Sequence, residues 1–179
     1  QLENELLILN KENFSLEKLV IEMVREYNNT INLLNRNQLE ILYDSRPNDF
    51  NNVKSEGSRN FGYVFADRTR IIQVIMNILE NAIEFTERGT ITLRLSENMT
   101  THEVVLTVSD SGSGIDPAIL PNLFTKFVSK SSKGTGLGLY ISKKIIEAHK
   151  GMIWAENCYD SNNKIKGSKF TLTLPSKRS

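Results

Sequence analysis

Five of the ten glycines in this chain stand in two tight groups, Asp110-Ser111-Gly112-Ser113-Gly114 and Gly134-Thr135-Gly136-Leu137-Gly138-Leu139. Glycine inside a helix costs about 1 kcal/mol relative to alanine, so grouping of this kind needs a local reason. Glycine lets backbone approach a neighbour closely, and a helix that begins at such a segment presents free N–H groups to an anion. Upstream of both groups, a helix-like stretch carries Asn77 and Asn81 one turn apart. In this order the three segments read as a nucleotide pocket.

The 179 residues suffice for one domain with its own core. A formal net charge of +1 disfavours a general nucleic-acid binder, which is usually strongly basic. The single cysteine, Cys158, forms no internal disulfide. No apolar run reaches the ~18 residues of a membrane span, and no signal peptide is visible. The chain opens on Gln1 within a helical pattern and without an initiator methionine, which suggests a piece of something larger.

Leu2, Leu6 and Leu9 read as the end of a helix. Ser15 is placed to cap the next one, with Phe14 and Leu19 as a hydrophobic staple. Leu16, Leu19, Val20, Met23, Val24, Tyr27, Ile31 and Leu34 keep helical spacing. Strands are predicted over 39–43 and 61–65, around a polar loop at 44–60. Asp67 caps a helix over 68–86 that is followed by Gly89. Strands over 90–95 and 103–109 come next, then a lid-like segment from Ile115 to Lys133. A helix over 136–150 puts Leu137, Ile141, Ile145 and Ala148 on one face and stops at Gly151. Strands over 152–156 and 169–174 flank a hairpin-like loop at 157–167. The sum is an α+β two-layer sandwich, about three helices on a mixed five-stranded sheet.

On the helix over 68–86 the non-apolar stripe is Arg70, Gln73, Asn77, Asn81 and Glu84. A solvated stripe draws on good helix formers, whereas asparagine costs roughly 0.5 kcal/mol against alanine. Two stacked amides therefore read as ligands, and an amide carbonyl is a hard oxygen donor of the kind Mg²⁺ accepts beside water and phosphate. In the strand over 103–109, Val104, Leu106 and Val108 share a face that Asp110 continues. Asp110 is then either a turn aspartate at a strand end or an acceptor for the exocyclic amine of adenine, with Gly112 and Gly114 keeping room for the ring and phosphates. The second glycine group serves either close helix packing or N–H contacts to phosphate. Lys126, Lys130 and Lys133 before it are either solvated or available to close over that phosphate. The pattern G-x-x-x-x-G-K-S/T is absent, as is G-x-G-x-x-G, so a dinucleotide fold is disfavoured.

With these segments in place, the chain resembles the catalytic ATP-binding domain of two-component sensor histidine kinases. That family lies in the GHKL superfamily with DNA gyrase, a heat-shock chaperone and mismatch-repair ATPases. Gln73–Thr86 is similar to the family's N box, Asp110–Ile115 to its first glycine box, Leu123–Phe127 to its F box and Gly134–Lys143 to its second glycine box. The likeness runs from Phe14 to Pro175.

The resemblance implies the Bergerat ATP-binding fold, with residues 1–13 as the end of a dimerisation and phosphoacceptor helix, 14–176 as the catalytic domain and 177–179 as a tail. It implies ATP and Mg²⁺ as cofactors. Asn77 and Asn81 would be the catalytic pair, with Asn81 on the metal and Asn77 supporting the phosphate site. Asp110 would hold adenine, and Glu84, Gly112 and Gly114 would lie beside the nucleotide. Lys133, Gly134, Thr135, Gly136, Leu137 and Gly138 would contact the phosphates. The implied reaction carries the γ-phosphoryl group to a histidine on a separate dimerisation domain, then to an aspartate on a response regulator receiver; the chemistry is positioning and charge neutralisation. Hydrolysing relatives place a glutamate at the position of Asn77 as base for water, and an amide does not accept that proton. The resemblance also implies a homodimeric full-length protein, sometimes membrane-associated, whose domain here is cytoplasmic and touches neither membrane nor nucleic acid.

Two departures stand out. Glu84 occupies a position where the family usually has Lys or Arg, which implies weak ATP affinity. The acceptor histidine is missing: His102-Glu103 imitates the start of its motif, but Thr107 stands where proline is expected, and His149 ends a helix. Both histidines read as structural, so the chain alone is not expected to autophosphorylate. A related ATPase or serine-kinase regulator, and a degenerate nucleotide- or protein-binding scaffold, remain as alternatives at this point.

Overall fold

The computed structural model describes residues 8–34, 36, 38–44, 61–128 and 135–177. The expectations for Leu2 and Leu6, for most of the loop at 44–60, and for Lys130, Lys133 and Gly134 fall outside those residues.

The elements are β1 (Glu12–Ser15), α1 (Leu16–Leu33), β2 (Leu39–Asp44), β3 (Tyr63–Ala66), α2 (Arg68–Phe85), β4 (Gly89–Asn98), β5 (Glu103–Asp110), α3 (Gly138–Ala148), β6 (Ile153–Tyr159) and β7 (Ile165–Pro175), with a 3-10 turn at Leu120–Asn122. Five strands form one sheet in the order β2-β4-β5-β7-β6. β2 runs parallel to β4, and the other neighbours are antiparallel. Period-two alternation decides the inner face: Leu93, Val108 and Phe170 lie side by side across three strands, and all are buried. Leu16, Leu19 and Val20 of α1, Ile71, Val74, Ile75 and Ile78 of α2, and Ile145 and Ile146 of α3 complete the same core. Each such side chain contributes about 1.5–3 kcal/mol when fully buried. The sequence-derived sandwich of three helices on a mixed five-stranded sheet is the observed fold.

Both expected helix caps form. Ser15 Oγ accepts the Lys18 N–H at 3.2 Å, and Asp67 Oδ1 accepts the Arg70 N–H at 3.1 Å.

Four local expectations are corrected. β1 was not foreseen; it pairs antiparallel with β3 in a separate two-stranded sheet, so β3 does not join the main one. Its four residues show no alternation of burial, and the pairing depends on β3 across the fold. Leu34 is 66% exposed, because α1 ends at Leu33. The loop at 157–167 shrinks to 160–164, where Asp160 Oδ1 accepts the N–H groups of Asn162 and Lys164 at 2.8 and 2.9 Å. Its first flank reads as loop because Glu156 and Asn157 interrupt the apolar run of β6, an edge strand. The buried residues of α3 are Ser142, Ile145 and Ile146, with His149 buried just beyond its end, whereas Ile141 is 36% exposed. Hydropathy misplaced that face because Ser142 and His149 are buried polar groups with internal hydrogen-bond partners.

Candidate functional site

A cavity of about 420 Å³ opens between the second half of α2, the end of β5, residues 114–128, the N-terminus of α3 and the start of β7. Its size falls in the usual range for small-molecule sites, roughly 300–1,000 Å³. Of the residues singled out above, Asn77, Asn81, Glu84, Asp110, Gly114, Thr135, Gly136 and Gly138 line it together. Gly112 and Leu137 do not contribute to its wall.

The two asparagines are held differently. Asn77 Nδ2 donates to Gly138 O and Ser142 Oγ, both at 3.1 Å, and so ties α2 to the first turn of α3. Asn81 Nδ2 donates to Asn77 O at 2.6 Å, one turn back along its own helix. With its nitrogen engaged in this way, the Asn81 amide has its oxygen left as an acceptor.

Asp110 completes the inward face of β5 and is 7% exposed. Its Oδ1 accepts the N–H of Gly112 at 2.9 Å and of Ser168 at 3.3 Å, and its Oδ2 accepts the Ser168 hydroxyl. These donors meet the need of a buried carboxylate and leave a lone pair on Oδ2 for an amine donor from a ligand. On the side where a Cβ would stand, Gly112 and Gly114 face protein atoms, while Gly114 also lies on the cavity wall. A Cβ at Gly112 would meet Phe85 O at 2.2 Å, and one at Gly114 would meet Ile165 Cγ2 at 2.2 Å.

No side chain caps the N-terminus of α3, which starts at Gly138 on the cavity wall. Its first-turn N–H groups are therefore open to an anion. Gly136 takes a φ of 67°, and a Cβ there would lie 2.7 Å from the Phe127 carbonyl carbon. Gly136 O accepts the Phe127 N–H at 3.0 Å, which fixes the approach to the helix.

Sequence reasoning missed Glu80, Ser168 and Phe170, all on the wall. Glu80 lies three residues after Asn77 and four before Glu84, so helical spacing alone would have found it. Burial, helped by the Glu80 charge, pushes the Tyr27 hydroxyl up to about 12. Ser168 and Phe170 reach the cavity only through β-sheet pairing, and Phe170 meets Phe124 edge to face with ring centroids 6.4 Å apart. His102 is exposed in the turn before β5, with a φ of 56°, and is remote in sequence from every wall residue except those of β5.

Comparison with known proteins agrees with this geometry. Residues 66–178 match the family described as histidine kinase-, DNA gyrase B-, and HSP90-like ATPase. The chain belongs to this ATPase family. Within the family its likeness is to histidine kinases. It is 39% identical over 114 residues to the sensor protein FixL of Bradyrhizobium diazoefficiens, a match covering 63% of this chain and 22% of that protein. The catalytic domain of histidine kinase ThkA shares 29% identity with a TM-score of 0.72, covering 93% of this chain and 96% of that one. A second ThkA structure, in complex with the response regulator protein TrrA, gives 27% identity and a TM-score of 0.70, covering 94% of this chain and 42% of that one. This ATPase domain thus corresponds to the catalytic ATP-binding part of a sensor histidine kinase and spans about a fifth of the length of FixL. No helix among the described residues is long and apolar enough to cross a membrane.

Proposed function

We propose that the cavity binds Mg²⁺-ATP and presents its γ-phosphoryl group to a histidine on a separate dimerisation and phosphoacceptor domain, from which it passes to an aspartate of a receiver. One observation carries the reading: a single cavity joins the amide edge of α2, a buried carboxylate and an uncapped helix N-terminus. Asp110 accepts the adenine amine. The first turn of α3, held in place by Asn77, faces the phosphates.

The donor set fits a hard divalent cation. Among the described residues no group of three or more His, Cys, Asp or Glu could hold a metal. The protein donor would be the Asn81 amide oxygen, whose nitrogen is engaged with Asn77 O, and nucleotide phosphates and water would complete the shell, as Mg²⁺ commonly arranges. Bound there, Mg²⁺ neutralises phosphate charge. Asn77 is an amide whose nitrogen is engaged with α3, and it does not accept a proton from water. This favours transfer to a better nucleophile over hydrolysis. Homologues named as sensor proteins, and a ThkA complex with a response regulator, support the assignment of partners. By the same likeness the domain works in the cytoplasm, as part of a homodimeric protein that carries the dimerisation domain.

The test is calorimetry with Mg²⁺-ADP and a non-hydrolysable ATP analogue. The wild type binds both, and Asn81→Ala abolishes the Mg²⁺-dependent part. Unchanged retention in Asn81→Ala overturns the pocket. Incubation with ATP and a separate acceptor-helix domain then places phosphate on histidine, whereas phosphoserine or free phosphate alone points to the alternative enzymes.

A further inference from the structure

The end of α2 remote from the cavity carries a second set of polar groups, and all of them are internally satisfied. His149 is 3% exposed and Asp67 is 7% exposed. The Asp67 N–H donates to His149 Nε2 at 2.9 Å, and His149 Nδ1 lies 2.8 Å from Ile145 O. The carboxylate of Asp67 accepts the Arg70 N–H at 3.1 Å, capping α2, and the Asn10 N–H at 2.9 Å. One residue pair therefore joins the start of α2, the end of α3 and the segment that leads into β1.

Only one protonation state satisfies these contacts. A neutral imidazole with its proton on Nδ1 donates to Ile145 O and accepts from Asp67 N–H. An imidazolium carries a second N–H, which would face the Asp67 N–H and leave a buried backbone donor without an acceptor. α2 and α3 also meet at a second point, where Asn77 binds Gly138 and Ser142. Ten residues of helix separate Asp67 from Asn77, about 15 Å at the usual rise. Two attachments at that separation fix the rotation of α3 against α2, and the α3 N-terminus lies on the cavity wall.

We propose that His149 is a positioning residue for the nucleotide site: as its neutral Nδ1–H tautomer it locks the end of α3 to Asp67 at the start of α2, and its protonation releases α3 there and, by displacing Asp67, loosens the Asn10 contact that the Asp67 carboxylate makes. The charged groups that act on the imidazole are Lys11, from the segment before β1, and Asp67; Arg70, on the first turn of α2, acts on Asp67. Burial and the Lys11 charge disfavour the imidazolium, while the Ile145 carbonyl and the Asp67 carboxylate favour it. The net direction is below the ordinary value of 6.5, so the lock holds near neutral pH and opens on acidification. The functional consequence rests on the nucleotide reading above; the lock itself does not.

The experiment uses the full chain and His149→Gln, whose amide donates and accepts but does not titrate. Mg²⁺-ADP affinity is measured by calorimetry between about pH 7.5 and pH 5, and the protection of the Asn10 amide by hydrogen exchange over the same range. Titration of the nucleotide phosphates is common to both proteins. The wild type is expected to lose about tenfold more affinity on acidification than His149→Gln, the equivalent of one pKa unit of coupling. Asn10 protection should fall in the wild type alone. Parallel affinity profiles in the two proteins overturn the proposal. If neither protein binds nucleotide at any pH, the proposed function fails, and Asn10 protection still decides the lock: pH-dependent in wild type alone sustains it, the same in both removes it. Should His149→Gln not fold, nitrogen NMR of the wild type decides, with exposed His102 as internal reference. A neutral Nδ1–H tautomer whose titration moves the Asn10 and Gly138 amides sustains the proposal, and an Nε2–H tautomer overturns it.

Discussion

Asn77 and Asn81 share a helix face but not a task, and hydrogen bonding separates them. Asn77 has its nitrogen engaged by α3, while Asn81 reaches only its own helix and keeps its oxygen. Glu84 follows on the same face and is exposed at the cavity wall. An exposed carboxylate there repels phosphate weakly and through solvent. Glu84→Lys is therefore expected to tighten Mg²⁺-ATP binding about threefold to tenfold at low salt, with the gain shrinking as salt is added. Calorimetry at two ionic strengths reads this directly, and unchanged or weaker binding at low salt contradicts it. At this scale the sequence was informative wherever a period applied. Alternation put Asp110 on the inner face of β5, and helical spacing put Asn77, Asn81 and Glu84 in one row. Ser168 was not legible, because its contact with Asp110 joins positions 58 residues apart.

Helix α2 is anchored at its start by Asp67, a cap with more partners than a cap requires. Replacing Asp67 by alanine removes the acceptor for Arg70 N–H and leaves the Asn10 N–H unpaired. Loss of a capping side chain costs about 1 kcal/mol. The added partner makes Asp67→Ala worse than Ser15→Ala, whose hydroxyl is an exposed cap for Lys18 alone. For a domain of this size each kcal/mol moves the melting midpoint by roughly 2–4 °C. Asp67→Ala should lower the midpoint by roughly 2–6 °C in scanning calorimetry, and by more than Ser15→Ala does; equal effects would remove the Asn10 contact from the account. The caps of α1 and α2 were legible because Ser15 and Asp67 directly precede apolar helical patterns. The buried face of α3 was not, because two of its buried positions are polar and only their partners reveal why.

Across the whole molecule, the buried pair sets how stability follows pH. The native His149 binds its proton less readily than the unfolded chain does, because burial disfavours the charge. Below the ordinary value of 6.5 the unfolded state then holds more protons, so stability falls as pH drops through this range. For Asp67 burial acts upward, but the N–H donors of Arg70 and Asn10, with the Arg70 and His149 charges, hold it below its ordinary 3.8. Its contribution is present above 3.8 and is lost only as pH falls below that value. Two separate acid losses of stability are expected, and His149→Gln should remove only the upper one when melting midpoints are followed against pH. A single loss, unchanged in His149→Gln, would contradict this. If the proposed site holds it, Mg²⁺-nucleotide should raise the midpoint at neutral pH, because a ligand that binds only the native state stabilises that state.

The order of residues alone determined the layers, the inward face of β5, the caps of α1 and α2 and the asparagine row, because each is a local pattern read from a fixed backbone period or a cap position. It also determined the kinship with histidine-kinase catalytic domains, through motifs whose order survives in one chain. Only the tertiary structure decided that β1 and β3 form a sheet of their own, that Gly112 and Gly114 make room for protein atoms, and that Ser168 steadies Asp110. It alone decided that His149 lies beside Asp67, 82 residues away in sequence. Those features depend on which distant groups satisfy buried donors and acceptors, and no local period carries that information.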